Sequence, residues 1–136
     1  MCEHRNYRGK LKTDGKWVFG FLVDEHNIGS WILSEPVRPE TVGQYTGIYT
    51  MEEIVGGDTR CTFIYEGDIV EAVLTDGIHQ GFSWGRHVVV FDRGAFGLKD
   101  RRGQVTPMCN YSASVKFKVL GNVWDNPELW EGDADA

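Results

Sequence analysis

The sequence lacks most of the residues that would name a function on sight. Its three cysteines, Cys2, Cys61 and Cys109, are odd in number and form no C-x-x-C pair. That argues against a disulfide scaffold and fits a reducing compartment. The histidines, His4, His26, His79 and His87, share no zinc-ligand spacing with one another or with the cysteines, so no metal site and no cofactor are expected. Proline is scarce, at four residues. The longest strongly apolar run, "WVFGFLV" from Trp17 to Val23, is far short of the ~20 residues that span a bilayer. The first ten residues have no apolar stretch of the kind a secretory signal carries. A basic excess is missing too: the net charge is −6, which supplies no general attraction to nucleic acid or anionic lipid. Much of that charge lies in the closing "NPELWEGDADA", too local for a mimic of the DNA backbone.

What is plentiful is glycine, 17 residues, and tight turns are what an all-β chain needs. "RGKLKTDGKWVFGFLV" reads as a hairpin turning at Asp14-Gly15. Beyond that turn Trp17, Phe19, Phe21 and Val23 share one face, to be covered or left for a partner. Trp31–Leu33 is expected as a short strand ended by Pro36 and Pro39, and "PETVGQYTG" as extended chain. Met51 to Val55 has room for one helical turn, before the turn signal Gly56-Gly57-Asp58. "RHVVVFDR" is a strand, followed by turns at Gly94 and Arg102-Gly103. In "SVKFKVLGNV" the alternation puts Val115, Phe117, Val119 and Val123 on a core face and Lys116, Lys118 and Asn122 in water. "DNPELW" is a single helical turn with Asp125 or Asn126 as its cap. No segment holds a sustained helical period, so the fold class is mainly β.

"CTFIYEGDIVEAVL" breaks a strand-like run once, at Glu66-Gly67-Asp68. A glycine bend flanked by carboxylates that accept turn N–H groups is the structural reading. Two carboxylates two residues apart also have the make-up of an acid–base pair, which would need a cleft to separate their pKa values. "GFSWG" matches a nucleophile pattern but has no strand-turn-helix setting, and "VGGDTR" lacks the lysine and length of a phosphate loop. No catalytic residue is assigned. Aromatics with polar edges lie in or near the later loops, Trp84, Tyr111, Trp124 and Trp130, among Arg86, Arg93, Lys99, Arg101 and Arg102. Together with Arg86, Arg93, Arg101 and Arg102, these four aromatics form the candidate binding surface.

Four blocks, "YRGKLKTDGKWVFGFLV", "PETVGQYTG", "IYEGDIV" and "VLGNVWDNPEL", come in the order found in the YopX family of phage and prophage proteins, which the chain resembles from Tyr7 to Leu129. It departs from the family pattern between Thr50 and Phe63, where "MEEIVGGDTRC" replaces a shorter hairpin. The resemblance implies a small N-terminal β-meander or mixed part, placed over residues 1–60, and an SH3-like β-barrel, over 61–130; the composition leaves 131–136 as an acidic tail. It implies a phage or prophage origin, hence the cytoplasm of a bacterial host, and carries no activity. The expected function is a non-enzymatic binding or adaptor module contacting a host or phage protein, with self-association left open and no role for a membrane. A nucleic-acid-binding accessory protein using the Arg86 to Arg102 region is the alternative, and a hydrolase built on Glu66 and Asp68 the third.

Overall fold

A computed structural model describes residues 7–24, 27–29, 34–53, 56–57, 59–75, 78, 81–111 and 114–131, with the backbone alone described at 21–24, 27–29, 34–35, 52–53, 59 and 131. Its strands are β1 (Tyr7–Lys10), β2 (Trp17–Asp24), β3 (Asn27–Gly29), β4 (Ser34–Pro36), β5 (Gly43–Glu53), β6 (Thr59–Tyr65), β7 (Asp68–Leu74), β8 (Ser83–Asp92), β9 (Ala95–Lys99), β10 (Val105–Pro107) and β11 (Val115–Asn122). Three-residue 3₁₀ turns occupy Pro39–Thr41 and Met108–Asn110, and one short helix, α1 (Pro127–Glu131), follows the last strand. The strands form a six-stranded sheet in the order β4-β3-β2-β1-β5-β6 and a five-stranded sheet in the order β10-β9-β8-β7-β11. Every strand pairing among the described residues is antiparallel. The mainly β expectation holds, with an antiparallel N-terminal sheet and a second sheet curled into a half-barrel.

Sheet edges and turns explain where the unusual residues sit. Proline cannot donate to a ladder, and Pro36 and Pro107 both lie on edge strands, β4 and β10, where a donor is dispensable. The short strand expected over Trp31–Leu33 lies outside the described residues. The Asp14-Gly15 hairpin forms, but as a wider loop than two residues: Lys10 pairs with Trp17, and Leu11 N–H reaches the Lys16 carbonyl at 2.9 Å. The Asp14 carboxylate accepts from Lys16 N–H at 3.0 Å, the local bond that suits aspartate to turns. Met51, given to a helical turn by sequence, pairs with Cys61 inside β5, because β6 offers a partner strand that a local reading cannot see. Thr41, expected in extended chain, is part of the first 3₁₀ turn.

The core lies between the sheets. Ile64 of β6 packs with Val70 and Ala72 of β7, Val89 of β8, Leu98 of β9, Met108 and Phe117. β11 alternates as expected up to Val119: Phe117 is buried, while Lys116 and Lys118 are exposed. The alternation then breaks. A register shift between Val119 and Gly121 against β7 inserts one extra residue, and an extra residue turns the following side chains over. Asn122, expected in water with the lysines, is therefore buried.

Cys61 on β6 is disulfide-bonded, against the expectation of unpaired thiols. Cys109 is free and exposed. No helix among the described residues is long and apolar enough to cross a membrane.

Candidate functional site

The chain leaves the first sheet and enters the second at Glu66-Gly67, the acidic turn. Gly67 has φ +94°, a left-handed conformation that glycine adopts without cost, and a Cβ there would run into the Trp124 ring. Its N–H donates to the Val89 carbonyl at 2.8 Å, and its carbonyl accepts from Val123 N–H at 3.0 Å. Asp68 faces inward at 2 % exposure. One carboxylate oxygen accepts from Arg8 Nη2 at 2.7 Å and the other from Tyr65 N–H at 2.8 Å. Burial pushes the Asp68 carboxyl above its ordinary range, and the Arg8 charge and the Tyr65 N–H offset only part of that rise.

Arg8, on β1, is buried as well. Its guanidinium lies 4.5 Å from the Trp17 ring centre, 5.0 Å from Tyr65 and 5.9 Å from Trp124, within cation–π range of all three. It also donates to the Glu66 carbonyl at 3.3 Å. A second polar cluster stands beside this one. Asp125 takes Lys10 as ion partner, the Trp17 indole N–H at 2.7 Å and the Asn122 amide at 3.2 Å. Burial pushes the Asp125 carboxyl up, but the bonds from Lys10, Trp17 and Asn122 outweigh it and bring it down to about 2. The buried Asn122 side-chain oxygen accepts from Trp124 N–H at 3.0 Å and Asp125 N–H at 2.8 Å. The Asn126 side chain accepts from Asn122 N–H at 3.2 Å. Both residues read from sequence as caps of α1 thus spend their side chains on this joint between the sheets.

A separate concavity of about 980 Å³ opens on the second sheet. Trp84, Arg86, Arg101, Arg102 and Tyr111 line it, with Glu71, His87 and Asp100 among their neighbours. Trp84 is placed by a bulge. Glu71 pairs with Arg86 and Val73 with Ser83, so β8 carries one residue more than β7 across that step, and Gly85 takes φ +87°. An edge-to-face series runs from Phe82 through Trp84 and Tyr111 to the buried Phe117, with ring centres 5.0, 5.8 and 5.5 Å apart. The groove wall is thereby anchored in the core. Burial raises the Tyr111 phenol, and a hydrogen bond with Thr106 opposes the rise.

Ser83 of "GFSWG" donates to Glu71 Oε2 at 2.6 Å and accepts from Gly85 N–H at 2.9 Å, bonds that hold the bulge. Asp100 accepts from the backbone N–H groups of Gln104 and Arg102, both at 2.9 Å, and the Gln104 bond chiefly holds its carboxyl below the usual range. Of the candidate binding residues, five meet in the groove. Trp130 stands beside it on α1, its ring 5.2 Å from the Arg101 guanidinium. Arg93 lies in the β8–β9 turn at φ 54°, next to Asp92 at 3.8 Å, and Trp124 belongs to the joint. Arg8, Lys10 and Trp17 of the joint were missed by sequence reasoning, because their partners stand 60 to 115 residues further along the chain.

The model of the family described as YopX protein matches residues 6–131. The chain belongs to the YopX family. No curated protein and no solved structure matches it. Three of the four blocks that carry the YopX resemblance meet at one place in the fold. "YRGK…W" supplies Arg8, Lys10 and Trp17, "YEGD" supplies Tyr65, Gly67 and Asp68, and "GNVWDN" supplies Asn122, Trp124, Asp125 and Asn126. In this YopX-family chain most of these recognisable residues build the brace, and the last block also reaches the groove, through Leu120 in its lining and the Leu129 carbonyl that Arg86 and Arg101 bond.

Proposed function

We propose that this YopX-family chain is a non-enzymatic binding module, of phage or prophage origin, that acts through contacts with another protein in the bacterial cytoplasm. The groove is the observation that carries the reading. It sets Trp84 and Tyr111, rings with polar edges, beside Arg86, Arg101 and Arg102, the residue types on which binding energy concentrates at interfaces. A four-strand meander with a fifth strand returning beside the first supports an SH3-like barrel, and aromatic grooves on such domains take extended peptides. Glu66 and Asp68 are better read as a brace than as an acid–base pair, since both Asp68 oxygens are spoken for.

Tagged wild-type protein and Trp84→Ala, each incubated with host lysate, test the reading. A partner that wild type retains, that Trp84→Ala loses and that binds again in purified form supports it. Equal retention by Trp84→Ala and Arg86→Ala removes the groove from the account. A second reading, binding of single-stranded nucleic acid, is favoured by the same pairing of rings and guanidiniums. It predicts an affinity that falls steeply with salt on an oligothymidylate. The Cys61 disulfide weighs against a reducing compartment. Alkylating free thiols in intact cells before lysis decides it, since a cytoplasmic chain should present Cys61 as a thiol.

A further inference from the structure

We propose that the outer edge of β11 is a second interaction surface, which pairs with an extended segment of another protein carrying acidic side chains at alternate positions. Among the described residues, β4, β6, β10 and β11 stand at the sheet edges. β4 and β10 are three residues long and each carries a proline, features that stop an edge from recruiting another strand. β6 carries the Cys61 disulfide, and its Arg60 and Phe63 have further contacts. β11 is eight residues long and has no proline. From Val115 to Gly121 its backbone bonds, among the described residues, run to β7 alone.

The hydrogen-bonding order decides which groups face outward. Thr75 N–H donates to the Ser114 carbonyl at 2.7 Å, one place before the pair Val115–Leu74. Bonded and non-bonded pairs alternate along an antiparallel ladder, so Lys116 and Lys118 turn their N–H and C=O groups toward β7. Val115, Phe117 and Val119 turn theirs to the open side, where none meets a backbone partner among the described residues. An added strand would bond at those three residues. The two lysines then fall at non-bonded positions, where Cα atoms approach to about 4.5 Å and opposed side chains lie closest.

What stands opposite the lysines therefore selects the occupant. Both are exposed, and neither forms an ion pair among the described residues. Lys116 faces Val73 across the ladder, and Lys118 faces Glu71, whose carboxylate accepts the Ser83 hydroxyl at 2.6 Å. A second copy of β11, laid antiparallel over the regular stretch Val115–Val119, would set Lys116 against Lys118. Like charges directly opposite destabilise a pair, and Asp or Glu at those places reverses the sign. The alternate positions of the segment would be apolar, continuing the half-buried Val115 and Val119 on either side of Phe117. Screening over a Debye length of about 8 Å leaves a short segment under the field of the lysines rather than of the chain's net −6.

Fluorescence anisotropy on the full chain tests this with two labelled peptides, one alternating Glu with Val and one alternating Lys with Val. The Glu peptide should bind saturably, and the Lys peptide about tenfold more weakly or worse, a difference of roughly 1.4 kcal/mol. The double variant Lys116→Gln, Lys118→Gln should melt like wild type and bind the two peptides alike. Trp84→Ala should bind the Glu peptide like wild type; a loss there moves the site to the groove and overturns the inference. Amide hydrogen exchange reads the backbone. The bound Glu peptide should slow exchange at Val115, Phe117 and Val119, and Lys116 and Lys118 should change little. Protection that spares the first three overturns strand addition, as does equal binding of the two peptides by wild type. If raising the concentration of the chain alone protects those amides, the occupant is a second copy and the inference falls. Binding of neither peptide leaves the lysines as guards of the edge and also overturns it. Capture of a partner through Trp84 stands or falls separately from each of these outcomes.

Discussion

Two separate facts demand a glycine at position 67, and substitution can tell them apart. Gly67 and Gly94 both have positive φ, +94° and +84°, but only Gly67 has a ring where its Cβ would sit, while Gly94 faces open space. A left-handed backbone costs a non-glycine residue roughly 1–2 kcal/mol. Gly94→Ala should show about that loss in urea unfolding and Gly67→Ala clearly more, because Trp124 must also move. Equal losses would mean that Trp124 yields freely and does not brace the turn. The Arg8–Asp68 pair gives a sharper case. Removing one partner of a buried pair leaves the other charged and unpaired, at a cost of about 3–5 kcal/mol. Asp68→Asn keeps an acceptor for Tyr65 N–H but not the counter-charge, so it should fall in that range. Replacing both, Arg8→Met with Asp68→Leu, should cost less than the sum of the two single changes. Additivity in that cycle would show that the two charges do not depend on each other.

At the scale of elements, β11 shows what periodicity can and cannot deliver. Lys116, Phe117, Lys118 and Val119 were assigned to the correct faces by a period of two, because a half-buried strand imposes that pattern on its sequence. Phe117→Ala should cost about 3–5 kcal/mol through lost burial and the cavity left behind. Lys116→Ala and Lys118→Ala should each stay within roughly 0.5 kcal/mol. A lysine variant weaker than Phe117→Ala would reverse the strand. Asn122 was misplaced because the extra residue at the bulge is fixed by pairing with β7, and pairing leaves no mark on β11 alone. The turn at Gly67 was legible for the opposite reason, since its chemistry is local. In the groove, residue type singled out Trp84, Arg86, Arg101, Arg102 and Tyr111, but the same reasoning also collected Trp124 and Arg93. Type reports what a side chain could do, and only the fold brings five of these residues to one concavity.

For the whole molecule, pH reads the joint. The Asp125 carboxyl sits at about 2, below its ordinary 3.8, so the folded form binds that proton less tightly than the unfolded chain. Its contribution is present above the ordinary value and is lost as pH falls toward about 2. Asp68 has the opposite sign: its raised carboxyl adds stability at low pH and loses it as pH rises through the shifted value. Asp125→Asn should therefore flatten the fall in melting temperature between about pH 4 and pH 2. Because Asp125 is substantially exposed, added salt should weaken the difference. An unchanged acid limb would show that Lys10 and Trp17 do not hold the charged carboxylate. The joint also sets the order in which the molecule can be completed. Arg8 and Lys10 are made before their partners: Asp68 follows Arg8 by 60 residues and Asp125 follows Lys10 by 115. The first sheet therefore waits with a buried cation unneutralised until β7 appears, and with Lys10 unmatched until the last strand has passed. Contacts of such long sequence separation form late, after loop closure has been met. The nascent chain is then one whose two sheets commit to each other only after β7 and the residues that follow β11 have been made.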